Sequence, residues 1–337
     1  TVNEVANAIK IGSIDAGLIW DSTVAQYPEL EEVRSLELDA GESLVQIGVL
    51  RSSRQPTAAL HFARYVAARD RGLEAFRAKG FRAVEGDIWE DHPRLVFFAG
   101  SVNQAALEPI VREFERREGV TVETVYNGCG ILTAQMQTLK RKGGFGFPDA
   151  YMACDVYYLD TVRDLFQEDV IISETDIVIV VQKGNPKQIA SLSDLVRPGI
   201  RVAIGQPDQC TIGVLSRRLL QRAGIYEQCL KQNVVTQTAT SAMLVPTVVT
   251  GSADAALAYR TDTLAERSRV DVVSIDSDAA RAVQPFAISR ISSHKQLVRR
   301  LLAHVARSKE IFEQAGFAWR LREGSEGASE SERDGAS

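Results

Sequence analysis

The sequence predicts an α/β protein: a two-lobe domain with a hinge, preceded by a partial copy of the same fold. Three observations carry this prediction. From Arg94 onward, short apolar runs alternate with helical patterns, the signature of a mostly parallel sheet covered by helices. The alternation breaks off and restarts near Ile177, which divides the domain into two lobes. Finally, GSIDAGLIW at residues 12–20 returns as GSADAALAY at residues 251–259, and the likeness continues downstream. Val45-Gln46 answers Val283-Gln284, and Phe76 with Gly80-Phe81 answers Phe312 with Gly316-Phe317. The stretch 100–238 has no counterpart ahead of the first copy, so residues 1–90 are expected to be the C-terminal part of a domain whose beginning is missing.

The complete domain opens after a turn-like junction, Glu90-Asp91-His92-Pro93, with an apolar strand at 94–98. Ser101 is placed to cap a helix whose apolar residues at 102, 106, 107, 110, 111 and 114 share one face and which ends near Gly119, with a kink expected at Pro109. A strand at 120–125, a helix at 131–140, a strand at 149–153 and a helix at 156–166 complete the first lobe. The second lobe is expected to hold strands at 177–181, 200–204, 253–259 and 270–275, with helices at 211–223 and 241–250. A strand at 283–288 and a long helix at 295–314 then return to the first lobe, giving lobes of 94–176 with 286–321, and 177–285. Residues 322–337 are acidic and rich in Ser and Gly, too polar to bury apolar surface, and are expected to be a disordered tail.

Composition narrows the function. At 337 residues, 45% hydrophobic and 25% charged, the chain is an ordinary globular one with room for more than one core. A net charge of -5 with scattered basic residues gives no support to a nucleic-acid groove and points to a small ligand. No apolar run approaches the roughly 20 residues of a membrane-spanning helix. His61, His92, His294 and His304 are dispersed and form no catalytic constellation. The glycine-rich stretch 143–147 has neither the Walker lysine nor the Rossmann spacing, so no cofactor is expected. With no acid/base pair or activated nucleophile in view, the chain is not expected to be an enzyme.

Several strand-to-helix junctions instead place small or polar residues at helix starts: Ala99-Gly100-Ser101, Asn127-Gly128-Cys129-Gly130, Cys210-Thr211-Ile212-Gly213 and Thr240-Ser241. Four helix N-termini facing one cleft offer free amides and positive dipole ends, enough to hold a tetrahedral dianion without a basic side chain. Taken singly, each junction is as well explained by ordinary helix capping.

On VFFAGSVNQAALEPI at 96–110, VETVYNGCGILTAQMQ at 122–137, PDAYMACD at 148–155 and VAIGQPDQCTIG at 202–213, the region 94–321 resembles the periplasmic molybdate-binding proteins of ABC transporters, of the type II periplasmic binding protein fold. The resemblance implies a ligand set of Ser101, Cys129 in the place of a second serine, the amides of Ile212 and Ser241, and the hydroxyl of Tyr259. It implies a periplasmic or extracytoplasmic protein, with a membrane anchor conceivable in the full-length chain, that carries a small oxyanion such as molybdate or tungstate to a transporter permease.

The thiols leave alternatives open. By the same resemblance Cys129, Cys154 and Cys210 converge on the cleft, where they suit a soft metal such as Cu(I) or Zn(II), two of them suit a disulfide, or all serve as small buried hydrophobes. Asp155 is read as a helix cap rather than an anion ligand. A further alternative is a sensor or interaction module without a transport role, with self-association through the incomplete first copy. In that copy Trp20 stands where Tyr259 stands in the other, and exposed apolar surface is expected.

Overall fold

The computed structural model describes residues 1–33 and 35–321; the tail expected at 322–337 lies outside them. The chain forms two compact units, the first of Thr1–Pro93 with Arg116–Val120 and the second of Arg94–Glu115 with the described residues from Thr121 onward.

The first unit is helical: α1 (Val2–Lys10), α2 (Asp21–Val24), α3 (Pro56–Ala67) and α4 (Gly72–Arg77). Thr1 and Glu4 form a capping box that satisfies two of the amides left open at the start of α1. Pro56 opens α3, where its fixed φ suits the first turn and its missing N–H costs nothing. Among its described residues the unit has no strand, and residues 17–20 are irregular. Large apolar side chains therefore stay in solvent: Leu18 is 77% exposed, Val33 85%, Leu44 72% and Leu50 75%. The unit closes with a turn in which Phe81 N–H donates to Phe76 O at 3.1 Å around Gly80, φ +84°, and the two rings meet edge-on at 5.3 Å.

In the second unit, the first lobe opens with β1 (Arg94–Gly100), a 3-10 turn at Ser101–Asn103, α5 (Gln104–Glu118), β2 (Thr121–Asn127), α6 (Cys129–Arg141), β3 (Ala150–Met152) and α7 (Val156–Asp160). Parallel pairing of β1 with both β2 and β3 buries β1 on both faces, which is why LVFFAG carries no polar side chain. Phe97, Phe98, Leu107, Ile110, Phe114, Leu132 and Met136 form the fully buried interior. α5 runs through Pro109 without a break. Proline there removes one hydrogen bond, to the carbonyl four residues back, and the buried face on either side holds the helix. The helix expected at 156–166 ends at Asp160, because Phe166 already belongs to the next strand.

That strand, β4 (Phe166–Gln182), passes through both lobes. The second lobe follows with β5 (Val202–Gly205), α8 (Thr211–Arg222), α9 (Tyr226–Gln232), β6 (Val234–Thr238), a 3-10 turn at Ser241–Met243, α10 (Leu244–Val249), β7 (Ala255–Tyr259) and β8 (Val270–Ser274). β5 is parallel to β6 and β7, while β4 receives β7 and β8 antiparallel. Ile179, Val181, Leu195, Val202, Ile204, Leu220, Cys229 and Leu257 pack into its aliphatic core. The pairing of α9 and β6 escaped sequence reading, since the segment 226–238 is largely polar and half-exposed.

β9 (Arg281–Ser289) returns the chain to the first lobe, antiparallel to β3 and to the first part of β4. The second hinge crossing thus precedes Arg281 and does not fall at 285–286. The long helix expected at 295–314 is two, α11 (Lys295–Ala306) and α12 (Lys309–Gln314), and β10 (Ala318–Trp319) ends on β4. After α12, Phe317 N–H donates to Phe312 O at 3.0 Å around Gly316, φ +84°, with the rings edge-on at 5.6 Å. α11 and α12 have 12 and 6 residues, as α3 and α4 do.

Candidate functional site

Parallel strands in an open α/β sheet bring the loops at their carboxyl ends together. Here β1 ends at Gly100, β2 at Asn127, β5 at Gly205 and β6 at Thr238, each followed by a helical turn. The N-caps of those turns are Gly100, Gly128, Cys210 and Thr240, and none of them receives a side-chain cap. α7 differs: Asp155 caps it by accepting from Tyr157 N–H at 3.0 Å and also takes Val283 N–H at 2.9 Å. Asp155 is thus fully used as a cap, as its position after β3 foretold. Four uncapped helical turns leave first-turn amides for a ligand.

The hydroxyl of Ser101 lies 3.4 Å from that of Ser241, so the first and fourth loops meet. Ser101 is not the N-cap foreseen for it; Gly100 takes that place and Ser101 begins the turn, with its side chain toward Ser241. Asn103 ties this turn to the end of β3 by donating to the carbonyls of Met152 and Ala153 at 3.3 and 3.2 Å. Ser241 is buried, as are Ile212 in the first turn of α8 and Tyr259 at the end of β7.

Cys129, the first residue of α6, is fully buried, and its sulfur lies 3.0 Å from that of Cys154. The Cys154 N–H also points at the Cys129 sulfur, at 3.2 Å. Gly100 makes this pair possible: a Cβ there would meet the Cys154 sulfur at 2.1 Å and the Cys129 sulfur at 2.8 Å. Cys210 turns its sulfur to the carbonyls of Gln206 and Thr238, both at 3.5 Å. Among the described residues no three His, Cys, Asp or Glu side chains converge as a metal-binding group, so the Cys129, Cys154 and Cys210 trio is not drawn together. Cys229 is a core residue of the second lobe.

Buried donors surround the pair. The hydroxyls of Tyr151, Tyr259 and Thr211 are buried with no oxygen or nitrogen partner. Burial, with the thiols as like-signed neighbours, pushes the Tyr151 and Tyr259 phenols well above their ordinary range, so both stay protonated donors. Burial works to raise the Cys129 thiol, but Cys154, Tyr151 and Thr211 together outweigh it and bring it down to about 7. Cys129 in turn drives Cys154 well up, and burial, helped by the nearby Cys129, lifts Cys210 to about 11 against hydrogen bonds to the backbone at Gly213 and Gln206. Asp262, beyond Tyr259, is pushed up by burial to about 7 against a hydrogen bond from Ser241. Tyr151, Thr211 and Asp262 were missed by sequence reasoning: a strand tyrosine, a helix-start threonine and a loop aspartate carry no motif of their own.

No basic side chain stands among these residues. Arg260, next to Tyr259, turns away to Asp176 at 3.2 Å. A surface cavity of about 210 Å³ lined by Asp176, Arg260, Ser274 and Arg281 includes none of the loop residues above.

The lobes are closed over the site. Tyr158 in the first lobe donates to Pro207 O at 2.9 Å, and Ile131 N–H to Gln209 O at 3.3 Å. Glycines permit the approach, since a Cβ at Gly130 would lie 2.4 Å from Asp208 O.

The profile of the family described as bacterial extracellular solute-binding protein matches residues 1–82 and 95–318. The molybdate-binding protein ModA of Mycobacterium tuberculosis is 31% identical over 232 residues, covering 66% of this chain and 84% of its own length. In fold, the second unit is similar to the periplasmic molybdate-binding protein of Azotobacter vinelandii, with a TM-score of 0.57 at 13% identity over 68% of this chain and 99% of that one. It is also similar to the sulfate-binding protein SubI of Mycobacterium tuberculosis, with a TM-score of 0.56 at 19% identity over 67% and 86%. Among the described residues no helix is long and apolar enough to cross a membrane. The two-lobe hinged fold and the profile match together make this chain a member of the bacterial extracellular solute-binding protein family, a binding component of transport and not an enzyme.

Proposed function

We propose that the second unit captures a small tetrahedral oxyanion of the molybdate or tungstate type outside the cytoplasm and delivers it to the permease of an ABC transporter. The observation that carries this is a buried site with four uncapped helical N-termini, protonated phenols and serine hydroxyls, and no basic side chain. Such a site neutralises a dianion by amides and hydroxyls alone. The ligand set is Ser101, Cys129, Ile212, Ser241 and Tyr259. The molybdate and sulfate named for the similar proteins above are both tetrahedral dianions, which supports this class of ligand. Replacing Ser101 by Ala removes one hydroxyl donor to a charged group and is expected to weaken molybdate binding about tenfold or more, measured by calorimetry. Unchanged affinity would place the anion elsewhere.

Residues 1–90, by our reading, are the C-terminal part of a second binding-protein domain. Three features support it: the family profile's separate match at 1–82, the equal helix pairs, and the shared Phe-Gly-Phe turn. Its exposed apolar side chains are those that a sheet would cover, and they provide a face for self-association. Limited proteolysis of the whole chain is expected to cut within residues 30–55 first while 94–321 persists. A first unit that outlasts the second under protease contradicts the reading.

A further inference from the structure

Cys129 and Cys154 are not filling a core in the way Cys229 does. Their sulfurs are 3.0 Å apart, and a disulfide spans about 2.05 Å, so a side-chain rotation of about 1 Å joins them. The backbone on the Cys154 side is held firmly. Its carbonyl accepts from Gln284 Nε2 at 3.0 Å, and Asp155 beside it is bonded to both α7 and β9. On the other side, Cys129 opens α6, where the helix dipole and the Cys154 N–H favour a thiolate. Cys210, occupied with two carbonyls, is left out of the pair. Both sulfurs are covered in the closed protein, and Gly128, next to Cys129, lies against the Gln209 carbonyl of the opposite lobe. An extracytoplasmic setting lets such a bond persist.

We propose that Cys129 and Cys154 form a reversible disulfide in the open, ligand-free protein, and that this bond sets how strongly the site holds its anion. The second half of the proposal rests on the oxyanion reading above. The oxidant is a disulfide of the class RSSR. The Cys129 thiolate attacks one sulfur of RSSR and expels RS⁻; the Cys154 sulfur then attacks Cys129 in the mixed disulfide, breaks that S–S bond and expels a second RS⁻. The two protons of the pair end on the two leaving groups, so the protein loses two electrons and RSSR becomes two RSH. In the reduced pair Cys129 titrates near neutral pH and puts a negative charge beside the bound anion. The disulfide carries no charge and does not titrate. Because Cys129 and Cys154 both belong to the first lobe, the bond leaves the hinge free.

The test uses the full chain, reduced, then incubated without ligand in glutathione disulfide. Two of the four cysteines should lose their thiols, the mass should fall by two hydrogens, and peptide mapping should join Cys129 to Cys154. At pH 8 the oxidised protein should bind molybdate roughly tenfold more tightly than the reduced one, the factor that one proton titrating near 7 produces one unit above its midpoint. Cys154→Ser should show no internal cross-link and should stop at the mixed disulfide, with one glutathione joined to Cys129. Four surviving thiols, or a link through Cys210 or Cys229, overturn the disulfide. A correct cross-link with equal molybdate affinity in both states overturns its effect on the site and leaves the oxyanion reading standing. If neither state binds molybdate, tungstate or sulfate, the control of affinity falls together with that reading, while the cross-link is still judged by its own map.

Discussion

Gly128→Ala is expected to weaken oxyanion binding about ten- to a hundredfold while leaving the melting temperature of the ligand-free protein nearly unchanged. Gly128 has φ −62° and ψ 134°, a conformation open to any residue, so alanine strains nothing locally. Its Cβ, however, would lie 2.4 Å from Gln209 O and 2.5 Å from Ala239 O, both backbone atoms of the opposite lobe. Neither oxygen can rotate away, and overpacking of this kind costs about 1–3 kcal/mol. The cost falls only on the closed state, because opening separates the two loops. A change that destabilises the closed state alone reappears in the binding constant, since the ligand must supply the difference. Calorimetry with molybdate and small-angle scattering with and without it would read both effects. Wild-type affinity in the variant would mean that binding does not need this closure.

The second large effect is on pH. Oxyanion affinity of the reduced protein should fall steeply as pH rises through about 7, where Cys129 and Asp262 both lose a proton. The sign follows from charge. Each group is neutral below its midpoint and negative above it, so binding of a dianion is strongest on the acid side and is lost upward. Each proton coupled to binding contributes up to about a tenfold loss per pH unit. The groups facing Cys129 are Cys154 and Tyr151 at β3, Tyr158 on α7, Cys210 before α8 and Tyr259 on β7; none is basic, so nothing offsets the thiolate. Asp262 acts through Ser241. Ionised, it takes the one hydroxyl proton of Ser241, which then has none to give the anion; protonated, it releases it. Cys129→Ser and Asp262→Asn should each reduce the slope of log affinity against pH by about one above pH 8, and the double variant should be flat. A slope of one lost in neither variant would remove both groups from the site.

Much of this protein is legible from residues alone. The apolar run at Leu95–Ala99 could only be a strand buried on both faces, and the alternation that follows it implies a parallel sheet with its loops at one end. The likeness of residues 12–20 to residues 251–259 is what led to the proposal that the first unit is part of a related domain. Ser101, Ser241 and Cys129 stood out because strand-to-helix junctions carry a chemical pattern. Where local patterns compete, the sequence was less informative. Residues 156–166 have helical apolar spacing, yet pairing with β9 and β7 claims everything from Phe166 onward for β4.

The sequence by itself determined the fold class, the two lobes and the small or polar residues at the helix starts, because these follow from short-range periodicity and from where glycine and serine fall along the chain; that those starts are uncapped came from the structure. Only the tertiary structure decided which side chains meet. It paired Cys129 with Cys154 and turned Cys210 away, brought Ser101 to Ser241 and set Asp262 behind it, and left the Tyr151, Tyr259 and Thr211 hydroxyls without an oxygen or nitrogen partner. The reason is physical. Periodicity acts over a few residues, whereas the proximity of residues 25 to 140 positions apart depends on how strands and lobes pack, and no local pattern encodes that distance.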